Sequence, residues 1–101
     1  MISLNEETFD ITVKKNPLCL VYFWAAWSGP CLNYFDILEE FEKENTSILL
    51  FKVNVEENQE LARKHSIIVM PTLTFFKKGK PVKVLIGTQN KQHLNELLNE
   101  L

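Results

Sequence analysis

The period of the apolar positions changes repeatedly along this chain, and each change marks a new element. Leu18 to Trp24 is apolar at every position. A segment apolar on both faces predicts a central strand buried in a parallel or mixed sheet. From Pro30 onward the apolar spacing becomes i, i+3, i+4, i+7 through Tyr34, Ile37, Leu38 and Phe41, with Glu39, Glu40, Glu42 and Lys43 between them. That pattern predicts an amphipathic helix with Pro30 in its first turn, where a missing N–H costs nothing. Ile48 to Val55, interrupted only by Lys52 and Asn54, predicts a second buried strand.

Shorter elements fill the intervals. Asn5, followed by Glu6 and Glu7, supplies a capping side chain and two carboxylates for the start of a short helix that ends at Asn16-Pro17. Asn58 is placed to cap a brief helix carrying Leu61 and Ala62, which runs out near His65 and Ser66. Thr72 to Phe76, a turn at Lys77-Lys78-Gly79-Lys80 and Val82 to Ile86 read as an antiparallel hairpin. Asn90 to Leu101 closes as a helix with Leu94, Leu97, Leu98 and Leu101 on one stripe. With Ile2 and Ser3 as a short first strand, the order is β-α-β-α-β-α-β-β-α. Crossover helices between strands require a sheet covered on both sides, so the fold class is α/β, a sheet between helical layers.

Composition narrows the picture. The 101 residues suffice for one domain, taken as 1–101, and 46% hydrophobic with 24% charged residues is the balance of a soluble globular protein. The longest apolar run, Leu18 to Trp27, falls short of the roughly 18 to 20 residues that span a bilayer. The N-terminus lacks the basic flank and apolar core of a secretory signal, so the expected location is cytoplasmic. A formal net charge of −2 points to neither nucleic acid nor membrane as a partner. Arg63, Lys64, Lys77, Lys78, Lys80 and Lys83 lie in a stretch without an acidic residue, while Glu39 to Glu60 is mostly acidic. The scatter of these lysines reads as two solvated faces of opposite sign.

Candidate chemistry concentrates at Trp27-Ser28-Gly29-Pro30-Cys31, where a central strand ends and a helix begins. The carboxyl ends of strands are where ligands collect in α/β sheets, and a helix N-terminus offers free N–H groups that stabilise a thiolate. Two cysteines cannot make a disulfide framework, no Cys/His cluster has zinc spacing, and no cofactor is expected. Cys19, mid-strand in an apolar run, reads as core. His65 and His93 have no cysteine or carboxylate at ligand spacing and read as surface or end-of-helix residues. The strand aromatics belong to the core; Trp27 lies beyond the strand end and is a candidate to touch substrate.

Phe23-Trp24-Ala25-Ala26-Trp27-Ser28-Gly29-Pro30-Cys31, then Met70-Pro71-Thr72, Phe76-Lys77-Lys78-Gly79 and Gly87 resemble corresponding segments of the thioredoxin family in the same order and at similar spacing. The likeness spans nearly the whole chain. It implies a thioredoxin fold, a central mixed five-stranded sheet flanked by four helices, and a cis Met70-Pro71 bond beside the loop. It also implies thiol–disulfide exchange in cell redox homeostasis, with protein disulfides as substrates, a thioredoxin reductase to recycle the thiols, and a monomer. Ser28 then stands at the position of the attacking cysteine, at the exposed mouth of the corner, and Cys31 at that of the resolving cysteine. Trp27, Gly29, Pro30, Met70, Pro71 and Gly87 would line the groove for an extended substrate segment.

The departures matter as much. Ser28 puts Ser-Gly-Pro-Cys where Cys-Gly-Pro-Cys is expected, and serine cannot form a disulfide, so turnover should be lost. A designed near-isosteric replacement and a natural loss of the outer thiol both produce such a serine. Family members usually carry a buried aspartate where this chain has Tyr22, a lysine where it has Leu32, and a helix-kinking proline where it has Asp36. Lys52, which resembles the aspartate's usual partner, is left without its carboxylate and is expected to donate from its Nζ to the Tyr22 hydroxyl. Cys31 is expected to be shielded by its own helix and inert. A redox-inactive binding module for extended segments is the alternative reading. A serine hydrolase is excluded by the lack of a G-x-S-x-G elbow and of a histidine placed to activate Ser28.

Overall fold

β2 (Leu18–Trp24) takes the middle of the sheet because no other strand is apolar on both faces throughout its length. The computed structural model describes residues 1–101. Around β2 the chain places β1 (Ile2–Ser3), α1 (Phe9–Lys15), α2 (Gly29–Glu44), β3 (Leu49–Asn54), α3 (Gln59–Lys64), β4 (Thr72–Lys77), β5 (Lys80–Ile86) and α4 (Lys91–Glu100). The sheet order is β1-β3-β2-β4-β5, with β1, β3 and β2 parallel and β4 and β5 antiparallel. The expected mixed five-stranded sheet with four helices is therefore present.

Alternation along β2 divides the core in two. Leu20 and Tyr22 face Tyr34, Leu38 and Phe41 of α2 and Leu94 and Leu97 of α4. Cys19, Val21 and Phe23 face Phe9 and Val13 of α1 and Leu61 of α3. Cys19 is wholly buried, and that burial pushes its thiol up to about 11, so it is core as expected.

Several boundaries differ from the sequence expectation. α1 begins at Phe9, because the Asn5 carboxamide oxygen caps a separate turn, accepting from the Glu7 and Thr8 amides at 2.9 and 3.0 Å. Asn58 precedes α3 without capping it; its oxygen accepts the Glu6 amide at 3.1 Å and its nitrogen donates to the Asn54 carbonyl at 3.0 Å. The buried stripe of α2 is Cys31, Tyr34, Leu38 and Phe41, so Ile37 lies at its exposed margin. α2 runs unbroken through Asp36. The hairpin turn is only Lys78-Gly79, both with positive φ (53° and 84°), and β5 therefore starts at Lys80. Two residues of positive φ match the twist of the paired strands.

His65 departs most. It ends α3 as expected, but its ring is packed among Phe9, Phe23 and Phe76 at centroid distances of 4.9, 6.0 and 5.6 Å, and its Nε2 is buried without a partner. Burial, and secondarily the Lys64 charge, hold its pKa below the ordinary 6.5, with Asp10 opposing weakly. Unfolding then takes up a proton in the window just below that value. Stability should fall as pH drops through the ordinary histidine value of 6.5 and below it. His65→Phe should remove most of that slope in urea midpoints measured across the window; an unchanged slope would show that the ring is not its source.

Candidate functional site

β2 ends at Trp24, and Ala25 to Ser28 turn the chain into α2. Ser28 is the N-cap: its backbone is extended and its Oγ accepts the Cys31 amide at 3.4 Å, with Pro30 in the first turn. The loop is held further by the Ser28 amide on the Ala25 carbonyl (3.2 Å) and the Ala26 amide on Glu56 Oε1 (2.9 Å). Ser28 is only 5% exposed, which corrects the expectation of an open mouth: its hydroxyl is turned inward onto the helix end.

Cys31 is wholly buried, one helical turn inside. Beneath it, the Tyr22 hydroxyl donates to the Cys31 carbonyl at 2.7 Å. The Tyr22 ring is itself clamped edge-on by Tyr34 and Phe35 at 5.8 and 5.3 Å. Burial raises the Tyr22 hydroxyl far above its usual pKa, with the neighbouring Cys31 adding to the shift, so it stays a neutral donor. Lys52 is the cross-strand partner of Tyr22, yet it does not bond the hydroxyl. Its Nζ lies 5.3 Å from the centre of the Phe35 ring, a cation–π contact in place of the expected hydrogen bond.

On the other side of the loop, Met70-Pro71 is cis, and the Pro71 carbonyl accepts the Gly87 amide at 2.8 Å. Pairing of Thr72 with Ile86 brings those two segments together, and Gly87 supplies φ +86° there. Trp27 (70% exposed) and Met70 share an open, mostly apolar groove of about 550 Å³ with Ala62, Ile67 and Ile68. Pro30 instead borders a separate shallow depression of about 250 Å³ beside Tyr34. Gly29 is exposed and, like Gly87, lines neither.

The thioredoxin family model matches residues 1–100. The chain belongs to the thioredoxin family. It is 40% identical over 101 residues to the thioredoxin of Alicyclobacillus acidocaldarius, covering 99% of this chain and 96% of the relative. It is 33% identical to that of Bacillus subtilis over the same shares. Among solved structures, a Plasmodium falciparum thioredoxin superposes with a TM-score of 0.91 at 33% identity, covering 99% of this chain and 98% of that one.

Against that family background, two parts of the site had no signal in the sequence. Glu56 braces the loop from 30 residues away, and nothing in its spacing announces it. The groove wall comes from the segment after α3, where Ile68, 86% exposed, looks in sequence like one more core residue. The chain has no group of three or more His, Cys, Asp or Glu side chains able to hold a metal ion. Tyr22→Phe should remove the second donor from the Cys31 carbonyl, which α2 also bonds, and lower the unfolding free energy measured with denaturant by about 0.5–1.5 kcal/mol. It should also speed alkylation of Cys31 by a small thiol reagent under native conditions. An unaltered alkylation rate would show that the hydroxyl does not keep the loop closed.

Proposed function

We propose that this is a thioredoxin-type protein-disulfide oxidoreductase site in which Ser28 stands at the attacking position, so that the chain as written does not turn over. The observation that carries the reading is that Ser28 caps the same helix turn that buries Cys31, the pair being one turn apart at a strand-to-helix corner. With a thiol at position 28, its thiolate attacks one sulfur of a substrate disulfide, forming a mixed disulfide and expelling the other sulfur as a thiolate that takes a proton from water. The Cys31 thiolate then displaces the second substrate sulfur, so that the substrate gains two electrons and the loop closes as a disulfide. A thioredoxin reductase restores the dithiol. A serine oxygen can enter neither step. Trp27, Met70, Pro71 and Gly87 serve substrate binding in this reading, Gly29 and Pro30 shape the loop, and the single domain works as a cytoplasmic monomer.

Ser28→Cys is the direct test. Reduction of a protein disulfide, followed with dithiothreitol as the recycling reductant, should rise well above the Ser28 protein, and alkylation of Cys31 should block it. Absence of any gain would sink the reading.

The inward-turned Ser28, the buried Cys31 and the open groove beside Trp27 also support a second reading, a redox-inactive module that holds extended segments. An extended apolar peptide should then bind the Ser28 protein equally with and without reductant, and Trp27→Ala should weaken it by about tenfold, the scale of one aromatic anchor. Binding that disappears on adding reductant would count against a non-covalent module.

A further inference from the structure

Opposite the redox loop, the fold assembles a cluster of positive charge. β2 begins at Leu18, paired with Lys77, and its seven residues put about 20 Å between that end and the loop. At this far pole lie Lys14 and Lys15 from the last turn of α1 and Lys77, Lys78 and Lys80 from the β4–β5 hairpin, all exposed. Backbone contacts join the two groups. The Lys78 amide donates to the Pro17 carbonyl at 3.1 Å, and Gly79 rests on the Lys14 stem so closely that a Cβ there would meet its Cγ at 2.7 Å.

The charges are gathered against local preference. Lys77 and Lys80 are cross-strand partners, an arrangement of like charges that destabilises a sheet. Lys78 adds a third while holding φ +53°, at a turn position that favours Asn, Asp or Gly. None of the five lysines makes a salt bridge, although the Lys77 Nζ donates to the Leu101 oxygen at 3.0 Å, whereas Arg63, Lys64 and Lys91 each meet a carboxylate. The helix dipole accounts for Lys14 and Lys15, and edge protection for Lys80. Neither accounts for Lys78, and a residue kept against its local preference marks a site shaped by something outside the fold.

We propose that this pole adsorbs peripherally to an anionic phospholipid surface. The pole is a hairpin tip with no cavity: the three concavities of the molecule lie elsewhere. Its charges are lysines alone, with no arginine to grip one phosphate bidentately and no exposed aromatic to stack on a base or anchor a protein interface. Lysine is depleted from protein interface cores, while headgroups free to move laterally can gather under scattered point charges. Because the whole chain carries a net charge of −2, adsorption also orients it, basic tip down and Trp27 facing away. Lys77, Lys78 and Lys80, which look scattered along the sequence, thereby share one surface with Lys14 and Lys15.

Vesicle sedimentation tests this. At low salt the protein should pellet with vesicles of phosphatidylcholine and phosphatidylserine at about two to one, not with phosphatidylcholine alone, and should be released near 0.5 M salt, where screening is nearly complete at about 4 Å. Lys78→Gln and Lys80→Gln should each weaken partitioning about fivefold. Lys43→Gln, at an exposed lysine of α2 without a salt bridge, should leave it unchanged. Equal pelleting with both vesicle types, an equal loss from Lys43→Gln, or tighter binding to polyglutamate or to double-stranded DNA would overturn the proposal.

Discussion

A strand with apolar side chains on both faces can lie only where both faces are dry, and that requirement on β2 organises the molecule. Leu20 and Tyr22 on one side and Val21 and Phe23 on the other each demand a helical layer, and the crossover connections supply one on each face. Everything at the functional end hangs from the carboxyl terminus of this strand. Trp24 is its last residue, and the next four residues turn the chain into α2 with Ser28 as the cap.

The corner is a closed structure. In this family a helix N-terminus can lower the pKa of a thiol by presenting unpaired N–H groups to it. Here the Ser28 Oγ occupies one of those donors, the Cys31 amide, so the serine acts as the cap of α2. Tyr22 closes the corner from below through the Cys31 carbonyl, and the Phe35 ring, which packs against Tyr22, also carries the Lys52 ammonium. The groove beside Trp27 stays open nonetheless, because α3 and the segment after it, which form its wall, are not touched by the capping.

The molecule is also polar in the electrical sense. The loop and groove occupy one end of β2, and five lysines without acidic partners occupy the other. The separation follows from the mixed sheet: β4 runs antiparallel to β2, so its carboxyl end and the hairpin turn lie where β2 begins, next to the end of α1.

Element type and order were legible from the sequence because they depend on periodicity, which is local: the all-apolar β2, the stripe of α2 and the Leu94–Leu97 stripe of α4 lie within a few residues of their predicted limits. The strand-to-helix corner was legible for the same reason, while its motif residues were singled out by their resemblance to the family. What the sequence could not decide was where each polar side chain spends its hydrogen bonds, since Asn58, Glu56 and Tyr22 bond to partners up to 52 residues away. Nor could it decide that His65 lies among three phenylalanines, or that Lys14 and Lys78 share a surface. Those outcomes depend on which faces meet after the sheet has closed, and only the tertiary packing specifies that.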